Sequence, residues 1–163
     1  MDSVLKELLE QEEQLQFDSF SNEDALQLGL IIIEIVKTNY QNEGKRGVAI
    51  NIERNGQVLF THLMEGASNE FYSWFGRKKR IVERYDHSSH FVGEKFRLQG
   101  TTVNEASFLP GSEYQAVGGS FPIFVKNTGA IGNVSISGLT SEEDHNICVE
   151  ALTKLLEMKS NKK

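Results

Sequence analysis

The sequence predicts an α+β fold in which helices pack on an antiparallel sheet. Three observations lead there. Val48-Ala49-Ile50-Asn51-Ile52 and Val58-Leu59-Phe60 flank Asn55-Gly56, a strong signal for a two-residue hairpin turn. Gly118 to Val125 and Gly129 to Gly138 read as two further strands punctuated by glycine, which inside a strand marks a bulge or a close approach. Capped runs of helical periodicity stand before and after these strands. The element order is ααββααβββα.

The first helix covers residues 2–16, with Val4, Leu5, Leu8, Leu9 and Leu15 on one stripe. In the second, Ser21 is the cap, Glu23 and Asp24 suit the positive end of the helix dipole, and Lys37 suits the other end. Its apolar residues cover nearly every face, so it must be covered on more than one side, with Gly29 admitting a close neighbour. After the hairpin come helices at about 68–85 and 89–98, then a loop at 100–112 containing Pro110-Gly111. Strands follow at about 114–117, 121–126 and 130–137. Thr140 and Glu143 have capping-box spacing and open the last helix, 141–158, whose inward face holds Ile147, Cys148, Ala151, Leu152, Leu155 and Leu156. With no repeat or linker, residues 1–163 read as a single domain, an amphipathic amino-terminal helix (1–18) leading into a core at 20–158.

A net charge of −6 over 163 residues argues against general affinity for nucleic acid. The longest apolar run, Leu30 to Ile33, is too short to cross a membrane. One cysteine and no amino-terminal signal pattern fit a reducing, cytoplasmic location. Charge is unevenly spread. Residues 1–24 hold eight acidic groups against Lys6, whereas 77–84 hold Arg77, Lys78, Lys79, Arg80 and Arg84 against Glu83. Such asymmetry suits subunit pairing or an anionic ligand.

On the 68–85 helix, Phe71, Trp74, Phe75, Ile81, Val82 and Tyr85 share one arc, and Lys78 falls near its middle. A lysine there either packs its stem on the core and reaches a carboxylate or carbonyl, or projects into a pocket and holds an anion. Arg77, Arg80 and Arg84 form an adjoining stripe, either a solvated or subunit-facing edge or a grip on an anion. None of His62, His87, His90 and His145 has zinc-ligand spacing, and no metal site is expected. Ser120 is not in a nucleophile elbow, because Pro122 takes the last position of that motif. Cys148 reads as a core thiol.

Taken together, Met64-Glu65-Gly66-Ala67, Lys78, Gly118-Gly119, Pro122-Ile123, Gly129-Ala130-Ile131-Gly132, Ser137-Gly138, Asp144 and Cys148 resemble the haem-degrading-domain family that contains GlcG and HbpS. Trp74, Arg77-Lys78 and Ser88-Ser89 are similar to an uncharacterised branch of it. The resemblance spans roughly residues 20–158. It implies a profilin-like fold, with a five-stranded antiparallel sheet between helices, and a tendency to oligomerise. It also implies a pocket between the Lys78 helix and Gly118–Pro122.

Three readings follow. The favoured one is a non-enzymatic, homo-oligomeric protein binding a small anionic metabolite. Its site residues are Lys78 and Arg77 for charge, Trp74 and Phe121 for apolar contact, and Gly118 and Gly119 for backbone donors. The second is a haem-binding or haem-degrading protein, with His87 and His90 as candidate ligands. The third is a protein–protein interaction module using the acidic amino terminus and the basic helix.

Overall fold

Alternation along the strands gives the sheet two unlike faces, both buried at its centre. In the computed structural model, which describes residues 2–41 and 47–162, the strands are β1 (Gln16–Phe17), β2 (Ala49–Arg54), β3 (Gln57–Leu63), β4 (Ser120–Val125) and β5 (Gly129–Ser137). They form one sheet in the order β1-β4-β5-β2-β3. The β4–β5, β5–β2 and β2–β3 pairs are antiparallel. Only β1 pairs in parallel, Gln16 opposite Phe124 and Phe17 opposite Val125, so the expected antiparallel sheet is mixed at one edge.

That edge also corrects the strand count along the chain. Residues 114–117, expected as a strand, have no regular structure, and the fifth strand is the two-residue β1. Periodicity has little purchase on so short a strand. Its Phe17 is fully buried and its pairing is supplied by β4 from across the chain.

The helices are α1 (Ser3–Gln14), α2 (Asn22–Asn39), α3 (Asn69–Tyr85), α4 (Ser89–Leu98), the four-residue α5 (Val103–Ala106) inside the expected loop, and α6 (Ser141–Asn161). Their caps follow the sequence. Ser21 and Asp24 close a capping box on α2, and Thr140 and Glu143 close one on α6. At the hairpin, Asn55 and Gly56 both take positive φ (52° and 79°), as a type I′ turn demands.

One face of the sheet presents Ile50, Ile52, Phe121, Ile123, Val134 and Ile136 to α2 and α6, forming the main core. Gly29 of α2 lies against the Phe60 ring, in space a side chain would fill. The opposite face carries Asn51, Glu53, Ser120, Asn133, Ser135 and Ser137, every one buried, beneath α3. α1 is fastened to the α4 side by Leu8 and by the buried Glu12. The Glu12 carboxylate accepts from the Ser88 amide (2.7 Å) and contacts His87 Nδ1 (2.7 Å).

Candidate functional site

The polar face of the sheet makes sense of the lysines of α3. Phe75, Lys78, Ile81 and Val82 point inward on this helix, and Lys78 is only 3% exposed. Its Nζ donates to the Ile136 carbonyl (2.9 Å) and to Asp144 Oδ2 (3.1 Å). Asp144 sits in the first turn of α6, where the Thr140–Glu143 box fixes the backbone, and its Oδ1 accepts from the Leu139 amide (3.2 Å). Burial raises the Asp144 carboxyl above its ordinary pKa, with Lys78 and the Leu139 amide pulling the other way without cancelling it.

Gly119 makes room for this pair. With φ of 130°, its missing Cβ would stand 2.5 Å from the Ile136 carbonyl oxygen and 2.6 Å from Lys78 Nζ. A side chain there would be strained and would strike the two atoms whose hydrogen bond anchors Lys78. Next along α3, Lys79 reaches Glu53 Oε2 (2.7 Å), which also accepts from Asn51 Nδ2 (2.6 Å). Each inward lysine therefore meets its own carboxylate.

A cleft of about 340 Å³ opens beside Lys78 and Asp144. Phe71, Trp74, Val117 and Leu139 give it apolar walls, and Ser137 and Ser141 add polar groups. Ser137 is 4% exposed, and its hydroxyl has no hydrogen-bond partner among the described residues. An ammonium carries three donors. Lys78 directs two of them at protein acceptors among the described residues. The amino-terminal end of α6, marked by Ser141, borders the same space and brings the positive end of the helix dipole beside it. Hydrogen-bond donors thus converge in a cleft walled by rings.

The residues singled out in the sequence divide in position. Trp74 and Lys78 line the cleft. Gly118 and Gly119 lie behind it, the first against the Ser141 carbonyl and the second beneath Lys78. Arg77 stacks its guanidinium 4.7 Å from the Trp74 ring centre and donates to the Ser112 carbonyl (3.2 Å), while Arg80 donates to the Glu113 carbonyl (3.1 Å). These two arginines clamp the loop before β4. Phe121 is fully buried on the opposite face of the sheet, its ring 5.9 Å from that of His145. His87 is engaged by Glu12, and His90 stacks on His145 at 4.8 Å.

Sequence reasoning did not place Phe71, Ser137, Ser141 and Asp144 in the site. Asp144 and Ser137 stood in the family pattern, but nothing in their spacing pairs them with a lysine far along the chain. Cys148 is a buried thiol whose pKa is pushed up by burial, then by Asp144. Burial, with His90 nearby, pulls the His145 imidazole down to about 3. Its Nε2 contacts Gln11 Oε1 (2.8 Å), and its Nδ1 is buried without a partner among the described residues. Also among the described residues, no group of three or more His, Cys, Asp or Glu side chains is placed to hold a metal ion. No helix there is long and apolar enough to cross a membrane.

Comparison with known proteins places this arrangement in a family. The family model described as "Haem degrading protein HbpS-like" matches residues 20–153. The chain belongs to the HbpS-like family. A UPF0303 protein of Streptomyces coelicolor is 43% identical over 153 residues, covering 94% of each chain. Among solved structures, the Ybr137w protein superposes with a TM-score of 0.87 at 31% identity, over 98% of this chain and 91% of that one. A structure titled as a PduOC–haem complex has a TM-score of 0.68 at 18% identity, covering 83% of this chain and 94% of its own, and shares the fold. The helix-flanked five-stranded sheet is therefore the HbpS-like fold.

Proposed function

We propose that this HbpS-like protein binds a small molecule in the Lys78 cleft, a carboxylate or phosphate carried on a flat apolar body. The observation that carries this reading is the pairing of groups in the cleft, where the Ser137 hydroxyl, without a partner among the described residues, opens on the same space as Lys78. A hydroxyl that faces the cleft with no protein partner is free to donate to a ligand oxygen. Phe71 and Trp74 would hold the apolar body, and the first turn of α6 would add amide donors.

Asp144 tempers the charge of Lys78, so the attraction is weaker than a lone lysine would exert. Affinity then rests jointly on the aromatic walls and the converging donors, the usual composition of a small-molecule site. Among the described residues neither the Ser137 nor the Ser141 hydroxyl is hydrogen-bonded to Lys78 or Asp144, which favours binding over turnover. Homo-oligomerisation and a single-domain organisation belong to this reading, and light scattering on the full chain tests the first.

The haem reading draws on the family's description and on the haem named in the PduOC title. The donor set of the cleft does not fit haem. None of its lining residues is His, Cys, Met or Tyr, the usual axial ligands, and its lysine is held by a carboxylate. His87 and His90 lie outside it, committed to Glu12 and to the His145 stack.

Thermal-shift measurements with benzoate and phenyl phosphate test the proposal, with benzyl alcohol as the ring lacking an anion. Stabilisation by the two anions, lost in Ser137→Ala and absent with the alcohol, supports it. No shift with either anion, or the same shift in Ser137→Ala, removes it.

A further inference from the structure

The polar sheet face has a second opening at the other end of β5. A cleft of about 360 Å³ lies between the carboxyl end of α3, the Asn55–Gly56 turn and the start of β5. Its floor is Asn133, 3% exposed, whose Oδ1 accepts from the Ser135 hydroxyl (3.1 Å). The Asn133 amide nitrogen has no acceptor among the described residues, and the side chain lines the cleft. An acceptor on a ligand would complete it.

The charge of this cleft is opposite to that of the first. Glu83 and Asp86 line it, and neither has an ion-pair partner among the described residues. The last carbonyls of α3 add the negative end of a helix dipole, and Asp86 caps the helix in the left-handed region (φ 55°). The cation Lys79 of the same helix is matched by Glu53, the residue opposite Asn133 on β2. Arg54 turns away to the Phe20 carbonyl. Val82 and Ile131 supply apolar sides.

We propose that this second cleft binds a small organic cation, an ammonium or guanidinium whose chain also carries a carbonyl oxygen. The cation meets Glu83 and Asp86, and the carbonyl accepts from the Asn133 amide. This site is independent of the Lys78 cleft.

Calorimetry on the full chain with argininamide, agmatine and glutamate tests it. Agmatine keeps the guanidinium and lacks the carbonyl; glutamate carries the opposite net charge. Argininamide binds, agmatine binds about tenfold more weakly, and glutamate does not bind. Since Asn133 is buried and its replacement risks misfolding, the deciding variants are the exposed Glu83→Gln and Asp86→Asn, each weakening argininamide about tenfold. Argininamide leaves the emission of Trp74, in the first cleft, unchanged. Absence of argininamide binding, equal affinity for the two amines, or an affinity unmoved by both variants overturns the proposal.

Discussion

Lys78 and Asp144 close an ion pair of 3.1 Å, with side chains 4% and 2% exposed, between the middle of one helix and the first turn of another. Among the described residues the two charges are held by each other, by the Ile136 carbonyl and by the Leu139 amide. Removing one partner strands the other. Lys78→Met is expected to destabilise the fold by about 3–5 kcal/mol in urea titration. The double variant Lys78→Met/Asp144→Leu should cost clearly less than the two single changes added together. Additive costs would mean that the pair is not coupled.

Acid should loosen this fold through His145. Its folded pKa of about 3 lies below the ordinary 6.5, so the unfolded chain binds the extra proton between those values. Stability therefore falls as pH drops below about 6.5, by roughly 4 kcal/mol on reaching pH 3. His90, also lowered by burial, acts in the same direction, whereas Asp144, raised by burial, opposes it above its ordinary pKa. Urea midpoints measured from pH 7 to pH 4 should decline steeply in the parent protein and less in His145→Gln. Parallel declines would assign the acid sensitivity elsewhere.

Gly119→Ala tests whether the backbone under Lys78 is as tight as it looks. A Cβ at φ 130°, 2.5 Å from the Ile136 carbonyl oxygen, is both strained and crowded by main chain. A loss of at least about 2 kcal/mol is expected. A loss under about 0.5 kcal/mol would mean that β4 and β5 can part there freely.

Phe108 is 93% exposed and adopts φ 55°, in a loop held by Asn104 Nδ2 to the Tyr114 carbonyl (2.8 Å) and by the two arginine clamps. Glycine there relieves about 1–2 kcal/mol of left-handed strain and returns about 0.5–1 kcal/mol to the unfolded chain. The melting temperature of Phe108→Gly should therefore hold or rise. A clear fall would show that the ring is buried in solution against another chain.

Helices and caps were legible because they are local. Thr140 with Glu143, Ser21 with Asp24, and Asn55-Gly56 each do their work within a few residues. The centring of Lys78 among rings was legible too, and of its two readings the contact with a carboxylate and a carbonyl is observed, beside a cleft. The identity of that carboxylate was not, since it depends on how α3 and α6 meet over β5. Strand alternation such as Asn133-Val134-Ser135-Ile136 marks two faces and gives no sign that the polar one is covered. That cover comes from α3. Phe121 illustrates the same limit, because a one-residue step along β4 separates the cleft side from the core.

The chain's one tryptophan, Trp74, is part of the cleft wall, so its fluorescence reports occupancy directly. Titrating phenyl phosphate into the full chain should give a saturable change in emission whose midpoint shifts about tenfold to higher concentration in Ser137→Ala. Emission that stays flat throughout, or follows the same curve in Ser137→Ala, would contradict a ligand site built on Lys78 and Ser137.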